Sequence, residues 1–147
     1  ITLRTTLIAG FPGETEEQFE DLCNFVKEVQ FDRLGCFAYS AEENTVAAKM
    51  DGQIDQEVKD KRAELVMQIQ TGIMAQKQAA KVGQTVCVLC DGVDDESGLY
   101  LCRTAADAPE VDGNVCVSSE EPLYPGEFYD VLVDDSDLYD LYGTVVK

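Results

Sequence analysis

Residues 5–15 read Thr-Thr-Leu-Ile-Ala-Gly-Phe-Pro-Gly-Glu-Thr. Thr5 to Ala9 is predicted to be a buried strand that stops in a Gly-Phe-Pro-Gly turn. Thr15 with Gln18 three residues later is a capping-box spacing, so a helix should follow at once. A strand running through a glycine turn into a helix is half of a βαβ unit. In open α/β sheets, ligands sit at such turns, at the carboxyl ends of the strands. An α/β sheet needs several parallel strands, and this one has barely begun when the turn arrives. The chain opens on Ile1 rather than Met, so it is expected to be the back part of a larger protein.

The next segments continue the α/β pattern. Phe19, Leu22, Val26 and Val29 fall on one face of a helix over 16–29. Leu34 to Tyr39 is a second apolar run, expected to be the next parallel strand. Ser40 to Gly52 reads as a polar loop. Asp55 can cap a helix over 56–80, with Val58, Leu65, Ile69 and Ile73 at helical spacing. About 25 residues rising 1.5 Å each span roughly 37 Å, enough to bridge two domains. Gly72 is a soft point inside it and Gly83 closes it.

Beyond Gly83 the texture changes to short strands. Thr85–Asp91, Leu99–Thr104, Asn114–Ser118, Phe128–Val133 and Tyr142–Val146 are separated by Asp91-Gly92, Ser97-Gly98, Asp112-Gly113 and Pro125-Gly126 turn signals. Five short antiparallel strands in so little chain suggest an OB-like barrel. The expected division is therefore 1–54, an α/β part; 55–82, a connecting helix; and 83–147, an all-β five-stranded barrel.

Charge is unevenly spread over a net −18. Residues 1–79 carry 8 basic and 14 acidic groups, and residues 80–147, which hold the barrel, carry 3 and 15, a net of −12. Such a surface repels phosphate backbones and attracts cations. The chain contains no His, which excludes His-based triads and His metal sites. Its six cysteines fall within apolar patterns, where a free thiol acts as a small hydrophobe, and a reducing cytoplasm is expected. No run of about 18 apolar residues points to a membrane span. Cys87 and Cys90 are three apart in a strand, on opposite faces, and are not expected to share a metal. The acids at Asp134–Asp137 lack EF-hand spacing and read as a solvated loop.

Gly10-Phe-Pro-Gly-Glu14 is no Walker loop, because no Gly-Lys-Ser/Thr follows. Taken with Phe37-Ala-Tyr39-Ser40 and Glu42-Glu43-Asn44-Thr45, it resembles the radical S-adenosylmethionine methylthiotransferase family. That family shows a GFPGET turn, an FAYSxExGT segment, a long helix and a small C-terminal barrel called the TRAM domain, in this order. Asn44 stands where the family usually has Gly, and Asn tolerates left-handed geometry. The resemblance implies part of a radical S-adenosylmethionine (β/α) barrel in residues 1–54. It places Gly10, Phe11, Pro12 and Gly13 close to S-adenosylmethionine, and Phe37 and Tyr39 near its adenine. It also implies two 4Fe-4S clusters, whose CxxxCxxC motif and second ligand set are not in these 147 residues. The polypeptide alone is therefore expected to be inactive.

The segment Arg103-Thr-Ala-Ala-Asp107-Ala-Pro-Glu110-Val-Asp112-Gly looks like the branch of the family that modifies an aspartate of a small-subunit ribosomal protein, with Cys102 in place of a usual glycine. Electrostatics favour that branch, since an acidic barrel suits a basic ribosomal protein better than tRNA. Asp107, Glu110 and Asp112 are candidates for contacting the basic partner; equally, Pro109 and Asp112-Gly113 can simply shape a turn. Arg103 is expected to pair internally with a carboxylate. The tRNA methylthiotransferase branch and a non-catalytic acidic interaction module remain open alternatives. Thr5–Ala9 leaves a strand edge open, so residues 1–50 are expected to be mobile or to find a partner chain.

Overall fold

The computed structural model describes residues 1–108 and 112–146. They divide into two compact units, Ile1–Met74 and Ala75–Lys147.

The first unit begins with strand β1, Arg4–Ala9, followed by helix α1, Glu16–Val29. Thr15 caps α1: its hydroxyl accepts from the Gln18 N–H, and the Gln18 side chain accepts from the Thr15 N–H. The reciprocal pair satisfies two of the helix's orphan donors. Gln30 ends the helix in a left-handed conformation. Strand β2, Arg33–Ala38, returns parallel to β1, with Leu7 opposite Cys36 and Ile8 opposite Phe37. Phe19 and Val26 are buried, and Leu22 and Val29 pack against the same core as Ala9, Leu34 and Cys36. The predicted α1 face is the observed one.

β1 is not buried throughout. Its exposure alternates, and Ile8 is 57% exposed beside Phe37 at 64%. Among the described residues β1 and β2 form a two-stranded sheet, so one face packs on helices and the other is open. The loop after β2 holds a single 3-10 turn at Ala47–Lys49, and Asn44 adopts the left-handed conformation at φ 67°.

Helix α2 runs Gln56–Ala80. Its buried face is Lys59, Arg62, Val66, Gln70 and Ile73. Leu65, expected inside, is 47% exposed. The apolar spacing misleads because three polar side chains occupy the inward stripe and take partners there. Gln70, for example, donates to the Phe31 carbonyl at 2.9 Å.

The second unit holds a closed five-stranded barrel. Its strands are β3 Thr85–Val93, β4 Tyr100–Arg103, β5 Val115–Ser118, β6 Phe128–Ser136 and β7 Leu141–Val145, in the order β3-β4-β5-β7-β6. Val88, Cys90, Cys102, Val115, Val117, Leu123, Val131, Val133 and Leu141 fill the interior. Closure leaves no free edge.

Three expectations change here. The barrel is not wholly antiparallel, because β5 and β7 pair in parallel, as closing five strands with this strand order requires. Asp91-Gly92 is not a turn; the ladder shifts between Cys90 and Gly92 as in a β-bulge, and β3 continues to Val93. Asp134 and Asp135 belong to the end of β6 rather than a loop. Gly143 is forced by packing, since a Cβ there would run into the Leu132 carbonyl and lie 2.6 Å from Val131.

Candidate functional site

The Gly10–Gly13 turn is held from α2. The Gly10 N–H donates to Glu14 Oε1 at 3.0 Å. Arg62 Nη1 donates to the same carboxylate at 2.9 Å and to the Glu14 carbonyl at 3.0 Å. Arg62 Nη2 reaches Glu16 Oε1 at 2.8 Å, and the guanidinium lies 5.4 Å from the Phe19 ring centre. The Arg62 side chain is 8% exposed and that of Glu14 13%. Burial by itself would lower the Arg62 pKa, but hydrogen bonds to Glu16 and Glu14 outweigh it and hold the pKa raised.

Gly10 has φ +80°, and an added Cβ would clash with the Lys59 side chain, whose Cβ would lie at 2.8 Å. Only glycine satisfies both the conformation and the contact. Gly13, at φ +82°, donates its N–H to the Gly52 carbonyl at 2.9 Å. Pro12 is buried between them. Phe11 is 44% exposed and meets the Tyr39 ring edge-on at 5.5 Å between centres. Tyr39 is 8% exposed; its N–H donates to the Ala9 carbonyl at 2.8 Å, and its hydroxyl is buried without a hydrogen-bond partner. The Lys59 ammonium lies 5.4 Å over the Tyr39 ring.

Gly10, Phe11 and Tyr39 therefore converge on one place, and Phe37 presents its ring on the open face of β2. Glu14, Lys59 and Arg62 complete the arrangement and escaped the sequence reading. Their signal was present: an acid directly after Gly13, and two cations three apart on a helix whose apolar stripe is sparse. Burying charges at that spacing needs partners from another element.

In the barrel, Arg103 pairs with Asp91 at 3.0 Å, as expected of it. Asp107 accepts from both the N–H and the hydroxyl of Thr104 at 3.0 Å. Asp112 accepts from the Ala108 N–H at 2.7 Å. Both carboxylates thus shape the chain that carries them. Arg103, Asp91, Leu101, Ala108, Asp112 and Asn114 are among the residues lining a depression of about 470 Å³. Glu110, the third docking candidate, and Pro109 lie outside the described residues.

A second acidic edge forms where turns meet the outer face of β5. Leu101, Cys116 and Tyr142 are successive cross-strand partners on β4, β5 and β7, and Asp135 follows on β6. Burial pushes the Cys116 thiol up to about 11, helped by the carboxylates of Asp140, Asp137 and Asp94. These charges come from the β3–β4 and β6–β7 connections, so both turns converge on this face. Asp137 accepts from the N–H groups of Tyr139 and Asp140 and from the Tyr142 hydroxyl at 2.8 Å. Those bonds lower the Asp137 pKa, backbone donation from Asp140 foremost.

All six cysteines are free. Cys90 is buried in the barrel but Cys87 is exposed, so not every thiol lies in the apolar interior. Among the described residues no three His, Cys, Asp or Glu side chains are grouped to hold a metal. No helix among them is long and apolar enough to cross a membrane.

Residues 82–146 match the TRAM domain family model. The whole chain is 49% identical to the ribosomal protein uS12 methylthiotransferase RimO of Parabacteroides distasonis, over 100% of this chain and 34% of that protein. The protein of the same name from Bacteroides thetaiotaomicron is 50% identical over 100% of this chain and 34% of its own length. That from Chromobacterium violaceum is 46% identical over 97% and 32%. The chain spans about a third of the length of the curated relatives it matches.

Proposed function

We propose, for a chain that belongs to the RimO family of methylthiotransferases, that it forms the C-terminal part of an enzyme that methylthiolates an aspartate of the small-subunit ribosomal protein uS12. Residues 1–54 contribute to the radical S-adenosylmethionine domain, 55–82 connect, and the barrel from 83 docks the substrate. The observation that carries this reading is the similarity of 46–50% along essentially the entire chain to relatives of that printed name, joined to the TRAM match.

The residues at the turn suit an adenosyl amino acid. Gly13 leaves its backbone open to close approach, and the rings of Phe11 and Phe37 are exposed. The buried, unpartnered Tyr39 hydroxyl is a polar group awaiting a ligand. When bound, S-adenosylmethionine and the two 4Fe-4S clusters supply the radical chemistry. This chain's residues bind and orient, and the cluster ligands come from outside its 147 residues. The Glu14–Arg62 pair holds the turn, with Glu14 accepting from the Gly10 N–H.

For the barrel, the edge formed by Asp94, Asp135, Asp137 and Asp140 around Cys116 and Tyr142 serves, with Asp107 and Asp112, as a surface for a cationic protein segment; Glu110 stays a candidate from the sequence. Carboxylates around a small apolar centre attract Lys and Arg and repel phosphates.

A titration of the chain against uS12 and against bulk tRNA, at two salt concentrations, tests this. Salt-sensitive binding to the protein alone supports the docking role. Binding to tRNA alone moves the chain to the tRNA-modifying branch. Binding to neither removes the docking role from the barrel.

A further inference from the structure

β5 and β6 are not neighbours in the barrel, and the chain joining them passes the end of β7, which lies between them. Leu123 on that connection is buried with the barrel core. The Tyr124 N–H donates to the Tyr129 hydroxyl at 2.9 Å, and the Ser119 hydroxyl donates to the Glu121 carbonyl at 2.8 Å, so the connection is held near both ends. Between it and β7 lies a depression of about 460 Å³ whose lining includes Glu120, Glu121, Pro122, Leu123, Tyr129 and Val145. Apolar surface from Pro122, Leu123 and Val145 meets two carboxylates there, and no cation is among the lining residues. Depressions of about 470 and 280 Å³ elsewhere on the barrel are both lined by Arg103. The acids differ as well. Asp94, Asp137 and Asp140 spend their carboxylates on hydrogen bonds within the barrel. Among the described residues no hydrogen bond or ion pair engages the carboxylates of Glu120 and Glu121. Adjacent carboxylates repel each other, and a cation placed between them relieves both.

We propose that this depression is a pocket for one Lys or Arg side chain of a cationic protein segment. The alkyl stem lies on Pro122, Leu123 and Val145, and the charged head sits between Glu120 and Glu121. A long cationic side chain suits both halves of the site, because its stem covers apolar surface while its head stays at the wet rim. The occupant follows from charge complementarity: residues 80–147 carry a net −12, and this depression joins unspent carboxylates to an apolar floor. The proposal rests on the reading of the barrel as the surface that docks uS12, and it gives that surface an anchor point. The other acids then draw the basic segment in at long range, while the pocket selects a particular side chain from it.

The test is equilibrium binding of uS12 to the complete protein at two salt concentrations. Wild type is compared with three variants. Glu120→Gln with Glu121→Gln removes the charge of the pocket. Thr144→Tyr fills it from the exposed Thr144 position on its wall without changing charge. Glu127→Gln with Asp130→Asn removes the same charge from exposed barrel positions outside it. The Glu120/Glu121 variant should bind roughly two- to thirtyfold more weakly, with a shallower salt dependence. Thr144→Tyr should lose roughly four- to fifteenfold through the displaced stem, with the salt dependence kept. The Glu127/Asp130 variant should stay within about twofold of wild type. Equal weakening by the two charge variants would make net charge the cause and overturn the pocket. Wild-type affinity in both the Glu120/Glu121 variant and Thr144→Tyr would overturn the pocket and keep the docking role of the barrel. No binding of uS12 to wild type would overturn both. Should Thr144→Tyr fail to fold, the comparison of the two charge variants decides alone.

Discussion

The two units bury different kinds of residue. The barrel core is nine side chains of Val, Leu and Cys, without a charge or amide among them. The α/β unit buries Lys59, Arg62, Gln70 and Arg33 beside its apolar core. The barrel strands satisfy one another all the way round, so the interior needs only volume and shape. The unit with two strands keeps an open sheet face carrying Ile8 and Phe37, and uses two of its buried polar groups, Lys59 and Arg62, to set a glycine turn. A polar interior costs stability unless every member is paired. Its presence here marks the place where geometry matters more than stability.

Breaking the polar side of that contrast should have the largest effect. Arg62→Ala strands the buried Glu14 carboxylate and frees the turn, and about 3–5 kcal/mol should be lost. Urea unfolding followed by hydrogen exchange should locate that loss in β1, α1 and β2 and leave barrel amides unchanged. A uniform loss across both units would dissolve the distinction drawn above.

In the barrel, Gly143→Ala forces a methyl into the backbone of β6, costing about 1–3 kcal/mol or more. The expected signature is a lower melting temperature for the barrel strands with exchange in α1 untouched. Thr15→Ala removes the capping box and should cost about 1 kcal/mol, confined to α1. A Thr15→Ser partner should recover most of it.

The smallest effect at neutral pH is a titration within the barrel. Burial pushes Cys102 from an ordinary 9.0 up to about 12, and a hydrogen bond to Asp137 raises Tyr142 from 10.0 to about 12. Both groups are acids held protonated by the fold. Between about pH 9 and 12 the unfolded chain therefore binds fewer protons than the native one, and stability falls as pH rises. Below pH 9 the contribution is fully present. Barrel melting temperature should stay level from neutrality to about pH 9 and then drop. Cys102→Ala should lessen the slope, and an unchanged slope would remove the thiol from the explanation.

Much of the local architecture was legible. Thr15 and Gln18 announced α1 because a capping box involves only residues three apart. Turn signals on either side marked Asn114–Ser118 and Phe128–Val133 as strands, and Asn44 could be expected to tolerate left-handed geometry. The pair Arg103–Asp91 was foreseeable as a type of contact, since a scarce cation in an acidic barrel finds a carboxylate. The glycine turn was legible as a place, through Gly10, Pro12 and Gly13.

What holds that place was decided only by tertiary structure. Lys59 and Arg62 sit 45 or more positions after the turn they contact, and Lys and Arg look like solvent-facing residues until the facing element is known. The same holds for Leu65, which helical spacing put inside and packing left outside. Asp91-Gly92 has the composition of a turn and became a bulge because the ladder to β4 continued past it. The parallel β5–β7 pair follows from barrel closure, which no segment of the chain encodes by itself. Local patterns select elements through short-range sterics and hydrogen bonds. Which charges are buried, and against what, depends on contacts between distant segments, and those exist only in the folded chain.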